Sequence, residues 1–241
     1  MNLLPIYYRT QFTGLLRAPA FVAGVVALPS LIFLFVTGTA RGDNNAIFAS
    51  FTVFATLSVA FFQFGVGIAQ DRDTPWERYR RILPASPLLP FAANILVALT
   101  FAAISVGLLA VVANFTLPLS ITLANALRLA LALVGGAIPM ALLGIAIGYW
   151  VSARAALAVA NVLYLALSFG GGIFVPPRAL PPWLDAISIW LPTRRMVELA
   201  WSAVGGRPML AEHWGMLAAY AVLFAALALW GYRRDEGNRY S

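Results

Sequence analysis

The 46 residues from 82 to 127 contain no charged side chain, and five further uncharged stretches flank this run. A soluble fold would need water-facing polar positions in such segments, whereas a lipid bilayer requires that they be absent. A helix crosses the ~30 Å hydrocarbon layer with roughly 20 apolar residues. The pattern therefore predicts an integral membrane protein, and the length allows one domain, 1–241.

The composition points the same way. Hydrophobic residues make up 61% of the chain and charged residues 10%, against roughly 25% charged residues in soluble domains. All 16 cations are arginine and lie mostly between apolar stretches, so the net charge of +7 indicates lipid headgroups as partners and not nucleic acid. The chain has no cysteine, which excludes disulfides and thiolate chemistry. No cleavable signal peptide is expected at the N-terminus.

The uncharged stretches predict an all-α membrane protein with six transmembrane helices. The longest run is too long for one helix, and the turn-forming sequence Asn114-Phe115-Thr116-Leu117-Pro118 is expected to divide it. The predicted spans are 19–38, 46–70, 88–113, 123–150, 155–174 and 214–232.

Arginine placement predicts the orientation. With both termini in the cytoplasm, the inner side holds ten arginines, while the short outer loops and their borders hold two, Arg41 and Arg128. An excess of cations in the cytoplasmic loops is the usual rule. The inner arginines are Arg9, Arg17, Arg72, Arg78, Arg80, Arg81, Arg154, Arg233, Arg234 and Arg239.

The N-terminal segment, 1–18, has the pattern of an amphipathic helix. Leu4, Tyr8, Phe12 and Leu15 recur at helical spacing, and arginines lie on another face. Such a helix can lie in the headgroup plane with its cations at the lipid phosphates. A cytoplasmic stub that only satisfies the charge rule is the alternative.

The loop 71–86 predicts a short, well-capped cytoplasmic helix. Thr74 is a good N-cap, Pro75 suits the first helical position, and Glu77 completes a capping box. Pro84 disfavours helix at the residue before it. Charges of both signs beside Trp76 and Tyr79 are typical of a docking surface for a soluble partner. A solvated loop with interfacial aromatic residues remains the alternative.

The outer segment 175–213 is too apolar to be disordered. The segment 181–191 is expected to form a short helix started by proline, with Trp183, Ile187 and Trp190 on one face, and Pro192 should end it. Thr193 is then expected to cap a second helix, 194–204, which Gly205 and Gly206 terminate. These helices are either interfacial or re-entrant, or an outer cap packed on the bundle.

The residues needed for most catalytic chemistry are missing. His213 is the single histidine and is expected to be a structural or interfacial residue. No Asp or Glu lies inside a predicted span, which argues against a proton- or sodium-coupled carrier. Without lysine, a standard phosphate-binding loop is impossible. The chain is therefore not expected to be an enzyme, and any ATP would be hydrolysed by another subunit.

Several residues within the spans are candidates to line a pathway for a lipophilic substrate, with ordinary helix packing as the alternative for each. They are Phe54, Phe61, Phe62, Gln63, Asn161, Tyr164 and Ser168. Gly144, Gly148 and Ser152 form a small-residue stripe that suits close helix contact, within the chain or between chains.

The whole arrangement resembles the type-2 ABC exporter permease family. The resemblance is carried by Asp71-Arg72-Asp73, Thr74, Glu77-Arg78, Leu83-Pro84 and Ser86-Pro87, and by Phe174-Val175-Pro176, Leu180-Pro181-Pro182-Trp183-Leu184, Leu191-Pro192-Thr193 and Val197-Glu198. The chain departs from the family pattern at three places. Pro75 follows Thr74, Leu191 is a second departure, and Trp201 stands where the family commonly has arginine.

The resemblance implies a permease subunit in the cell (inner) membrane, paired with a second permease subunit and with cytoplasmic ABC ATPase subunits that carry ATP and Mg. The implied ATPase contacts are Arg72, Asp73, Thr74, Trp76, Glu77, Arg78, Tyr79 and Arg81. In such permeases the second and fifth spans face the dimer axis, which favours Phe62, Gln63 and Asn161 as residues that meet the substrate.

Three functions remain open at this level. The first is ATP-driven export of a lipophilic or amphipathic substrate of the drug or antibiotic type, which the aromatic second span and the uncharged spans favour. The second is export of a polysaccharide or glycolipid by a permease of the same family. The third is a membrane channel or assembly factor without ATP coupling.

Overall fold

The charge-free stretches fold into six helices long and apolar enough to cross a membrane, within the part of the chain that the computed structural model describes, residues 3–38, 43–72, 74 and 88–237. The chain is thus an all-helical, multi-pass membrane protein. Its helices are α1 (Leu4–Leu16), α2 (Pro19–Thr37), α3 (Asn44–Arg72), α4 (Leu88–Thr116), α5 (Leu123–Trp150), α6 (Ala153–Gly170), α7 (Pro182–Ser188), α8 (Pro192–Val204) and α9 (Ala211–Gly237).

The predicted break in the long uncharged run was placed too early. Asn114 and Phe115 belong to α4, which continues to Thr116, and the turn follows at 117–122. Leu117 still donates its N–H to the carbonyl of Ala113 at 2.9 Å, but Pro118 has no N–H to continue the ladder. The fifth span likewise ends earlier than predicted, at Gly170, because Gly172 turns the chain with a φ of +80°.

Helix α3 is the centre of the bundle. Most of its apolar length, 89%, is buried inside the chain, compared with 28% for α4 and 22% for α9. It packs against α4, α5, α6 and α8. Five phenylalanines of α3 are therefore buried against other helices of the same chain: Phe48, Phe51, Phe54, Phe61 and Phe64.

The small-residue stripe brings α5 against α3 within one chain. A Cβ atom built on Gly144 would lie 2.5 Å from the carbonyl oxygen of Ala60, and one on Gly148 would lie 2.8 Å from Cβ of Ile68. Only glycine allows the two backbones to approach this closely. Ser152 lies beyond the end of α5 and takes no part in the stripe.

Helices α2 and α3 each contain a π-helical segment, at Val22–Ala27 and Ala60–Val66. A π segment disturbs the regular backbone ladder, and inside a membrane its carbonyl groups need other donors. In α2, two hydroxyls lie within hydrogen-bond distance of the carbonyl oxygen of Val25: that of Ser58 at 3.0 Å and that of Ser105 at 3.2 Å. These bonds connect α2, α3 and α4.

The amphipathic N-terminal segment forms α1, as predicted, and its apolar face packs on α4. The Tyr8 hydroxyl lies 3.0 Å from the hydroxyl of Thr100, and the ring of Phe12 stacks on Phe101 at 5.2 Å between centroids. Its location in the headgroup plane stays a prediction.

The outer segment folds as two short helices. Helix α7 starts with proline as predicted, at Pro182, but it ends at Ser188, before the predicted end at Pro192. Trp183, Ile187 and Trp190 are exposed. Helix α8 starts at Pro192, so the prediction that Thr193 caps it was wrong. Proline needs no N–H partner at a first position, and the hydroxyl of Thr193 instead donates to the carbonyl of Leu167 at 2.8 Å. Gly206 ends α8 with a φ of +66°, as predicted.

Candidate functional site

Four of the candidate pathway residues meet in one aromatic cluster between α3 and α6. The ring of Tyr164 stacks on Phe54 with 4.6 Å between centroids, and it meets Phe62 at 5.7 Å and Phe61 at 6.3 Å. Phe174, which sequence reasoning placed only in a family motif, adds an edge contact to Phe54 at 4.8 Å. Offset and edge-to-face pairs of this kind stabilise beyond their buried area.

Three of the four rings of the cluster are buried in the chain. Phe54 and Phe61 are 0% exposed and Tyr164 is 3% exposed, while Phe62 is half-buried. The Tyr164 hydroxyl donates to the carbonyl of Phe54 at 3.2 Å, and the buried Ser168 donates to the carbonyl of Tyr164 at 2.6 Å. A ligand would reach the three buried rings only if α3 and α6 moved apart.

Gln63 lies on a different side of α3 from Tyr164. Its amide nitrogen donates to the side-chain oxygen of Asn94 at 2.8 Å and to the Asn94 backbone carbonyl at 3.0 Å. The buried Oε1 of Gln63 has no hydrogen-bond partner among the residues that the structure describes. Asn94 was not identified from the sequence, although it is the single asparagine of the predicted span 88–113, and a polar residue at membrane depth is itself a signal.

Asn161 does not join either group. Its side chain is half-buried on α6 and donates to the carbonyl of Leu157, one turn earlier, at 2.9 Å. The structure thus gathers Phe54, Phe61, Phe62 and Tyr164, and it separates them from Gln63. Contact of any of these residues with a substrate stays a prediction.

Two of the eight predicted ATPase contacts lie within the described residues, Arg72 and Thr74. The others, Asp73, Trp76, Glu77, Arg78, Tyr79 and Arg81, lie outside them, as does most of the predicted helix of the loop 71–86. The Thr74 hydroxyl donates to the carbonyl of Asp71 at 2.7 Å, and its N–H reaches the same oxygen at 3.0 Å. Thr74 therefore closes a turn directly after α3.

Arg72 is directed into the bundle. Its side chain is 12% exposed, and its two Nη atoms donate to the carbonyls of Tyr149 at 2.6 Å and Val151 at 3.1 Å. The same guanidinium lies 3.3 Å from a carboxylate oxygen of Asp235 in α9. The last carbonyls of a helix have no intrahelical donor and carry a partial negative charge, so the end of α5 attracts a cation. We call Arg72, Tyr149, Val151 and Asp235 the inner junction.

A second group of charges is buried at the other end of the bundle. Arg194 in α8 contacts Glu198 at 2.6 Å, and Arg195 contacts the second oxygen of Glu198 at 3.2 Å. His213 is 7% exposed, with its Nδ1 3.4 Å from Glu198 and 3.3 Å from Arg195. Asp185 and Glu212 lie at the edge of this group, 3.6 Å from Arg194 and Arg195 respectively. We call these six residues the outer cluster.

The outer cluster was not recognised from the sequence. The predicted spans carry no carboxylate, but the observed helices extend further, so that Asp71 lies in α3 and Glu212 and Asp235 lie in α9. In addition, α8 brings Glu198 and two arginines in among α3, α5 and α9. The available signal was the spacing of the charges, since Arg194 and Arg195 precede Glu198 by four and three residues on one helix. The expectation that His213 is a structural residue agrees with its buried place in this group.

Comparison with known proteins agrees with this architecture. The family model described as ABC-2 type transporter matches residues 4–204. The chain is 25% identical over 243 residues to a protein of Bacillus subtilis (strain 168) described as putative transport permease YvfS, and the match covers 98% of this chain and 99% of that protein. The family model covers most of the chain, including the spans α2 to α6 and the outer helices. The chain therefore belongs to the ABC-2 type transporter family, as a multi-pass permease.

Proposed function

We propose that this chain is the transmembrane subunit of an ATP-driven exporter that moves a lipophilic or amphipathic substrate outward across the cell membrane. Membership of the family implies a transport permease that works with an ATPase partner. The proposal adds the class of cargo, the outward direction, and a pathway formed by two permease subunits. ATP and Mg would bind to the partner, which would dock on the loop 71–86.

The aromatic cluster is the observation that carries this proposal. Phe54, Phe61, Phe62 and Tyr164 meet between two spans, within the stretches 46–70 and 155–170 that carry no charged residue. Aromatic rings bind apolar cargo through area and stacking, and a few polar groups then fix its orientation. The Tyr164 hydroxyl offers one such group once its bond to the Phe54 carbonyl is released.

The continuity of α3 supports a mechanism. One unbroken helical path runs from Asn44 through the aromatic cluster to Arg72, directly before the predicted docking loop. A partner that closes on ATP and opens after hydrolysis would bias this helix between two positions, as a bound partner biases any two-state element. Separation of α3 from α6 in one of these positions would expose the cluster.

Transport in inside-out vesicles tests the proposal. Vesicles that contain the permease and its ATPase should take up a lipid-soluble fluorescent dye only when ATP is present. The variant Phe54→Ala should reduce uptake, whereas Phe115→Ala, at a position that is 83% exposed on α4, is the matched control and should not.

Two results would contradict the proposal. ATP-dependent movement of lipid-linked glycans without dye uptake would assign the protein to polysaccharide or glycolipid export. Flux that continues without ATP and without the ATPase would indicate a channel.

A further inference from the structure

Arg72 joins the ends of three helices. From the last position of α3 it donates to the carbonyls of Tyr149 and Val151, which mark the end of α5, at 2.6 and 3.1 Å. It also pairs with Asp235 near the end of α9 at 3.3 Å. The planar guanidinium suits this task, because it presents several donors in fixed directions.

The ends of α5 and α9 are held together independently of Arg72. Trp150 donates its indole N–H to the carbonyl of Leu227 at 3.0 Å, and its ring meets that of Trp230 at 4.7 Å. Tyr149 and Tyr232 form a further edge-to-face pair at 5.4 Å. These two helix ends therefore behave as one body with or without the arginine.

The contact between α3 and α5 is of a different kind. Gly144 and Gly148 bring the backbones together through van der Waals contact. Such smooth contact opposes separation of the helices, but it does little to oppose sliding along their axes. Directional charge-assisted hydrogen bonds, as at Arg72, fix the relative position of two helices along the axis.

We propose that Arg72 is a positioning residue that couples the end of α3 to α5 and α9, so that a displacement of the loop after α3 moves all three helices together. This inference rests on the proposed function, in which the ATPase acts on that loop. The family resemblance implied that Arg72 contacts the ATPase directly. In this proposal Arg72 instead transmits motion between helices within the permease.

Spin-label distances test the coupling directly, and the absence of cysteine from the chain makes site-specific labelling simple. Labels at Gln70→Cys on α3 and Arg233→Cys on α9, both exposed positions, report on the inner junction. Distances are measured in permease–ATPase complexes, diluted with unlabelled permease, without nucleotide and after trapping with ATP and vanadate.

With Arg72 present, we expect one narrow distance distribution in both states. In Arg72→Gln the distribution should broaden or shift between the states, while a control pair, Leu131→Cys on α5 and Val222→Cys on α9, should not change. Loss of a hydrogen bond to a charged group changes an equilibrium constant about tenfold or more. In Arg72→Gln, the amount of dye transported per ATP hydrolysed should therefore fall about tenfold. The dye transported per ATP by Arg72→Lys should lie between the values for the unmutated permease and for Arg72→Gln, since an ammonium cannot reproduce the fork of donors.

The outcomes separate this inference from the proposed function. If the complex forms and the Arg72→Gln distances match those with arginine, the inference is wrong and the proposed function stands. If Arg72→Gln abolishes ATPase binding, Arg72 is a docking residue and the inference is again wrong. If the unmutated permease binds no ATPase, the proposed function fails, and the distance distributions in the free permease still decide whether Arg72 holds the helix ends. Asp235→Asn serves as a second variant with arginine retained.

Discussion

The outer cluster and the inner junction both bury arginine, but they do so by different means. The side chain of Arg194 is 10% exposed and that of Arg72 is 12% exposed. Arg194 and Arg195 share the carboxylate of Glu198, which lies four and three residues away on the same helix. The carbonyl partners of Arg72 lie 77 and 79 residues away along the chain.

The difference assigns different tasks to the two regions. The outer cluster is closed within α8 and its immediate neighbours, so it stabilises the place where a short helix enters the bundle. The inner junction connects the end of α3 to α5 and α9, whose ends other contacts already hold together. A buried charge that loses its partner is costly wherever it lies, but only at the inner junction does the loss separate parts that we expect to move together.

The largest expected effect comes from breaking the outer cluster. Glu198→Gln removes the carboxylate shared by two mostly buried arginines, and the loss of one partner from a buried ion pair costs about 3–5 kcal/mol. Thermal unfolding in nanodiscs should show a marked decrease in stability. Glu212→Gln is the matched control, because that carboxylate is 66% exposed and should contribute about 0–1 kcal/mol. Equal decreases in the two variants would show that the outer cluster does not depend on the shared, mostly buried carboxylate of Glu198.

The contact of α3 with α5 comes next. Gly144→Ala places a Cβ 2.5 Å from the carbonyl oxygen of Ala60, and the helices must separate to accept it, at a cost of about 1–3 kcal/mol for overpacking. Gly107→Ala on α4, where nothing lies within 4 Å of the new Cβ, should be near neutral in the same unfolding measurement. A neutral Gly144→Ala would show that α3 and α5 do not hold the inner junction by close backbone contact.

A smaller effect is expected where α8 meets α3. Trp201 donates its indole N–H to the hydroxyl of Ser50 at 2.8 Å, and Trp201→Phe should cost about 0.5–1.5 kcal/mol for that hydrogen bond. Ser50→Ala removes the same bond from the other side. The double variant should therefore lose less stability than the sum of the two single losses. Fully additive losses would mean that the two groups do not interact.

The smallest stability effect is expected at Gln63. Hydrogen bonds between membrane helices average about 0.6 kcal/mol, so Gln63→Leu should leave the unfolding temperature nearly unchanged. The variant is useful in transport assays, because the buried Oε1 of Gln63, which has no hydrogen-bond partner among the described residues, would offer an acceptor to a substrate if the helices parted. Reduced dye affinity at constant stability would place Gln63 on the pathway, and unchanged affinity would make it a packing residue.

The sequence by itself determined the six spans, most of their ends and the family. A helix must satisfy its own backbone hydrogen bonds in lipid, so length and the absence of charge are sufficient to locate it. The end of α8 at Gly205 and Gly206 was accurate, but the end of α6, which Gly172 sets, was placed too late. The start of α8 was wrong at Thr193, because a proline at the first helical position started the helix earlier. The turn predicted at Asn114 was misplaced because turn-forming residues are tolerated inside a long span.

Only the tertiary structure decided which span lies at the centre and what the buried arginines contact. The most apolar span, α4, is 28% buried, whereas the less apolar α3 is 89% buried. Lipid exerts no hydrophobic pressure on apolar side chains, so packing follows glycines and polar pairs that hydropathy does not rank. Arg72 binds backbone carbonyls, which every residue possesses, and no sequence pattern therefore distinguishes its partners from any others.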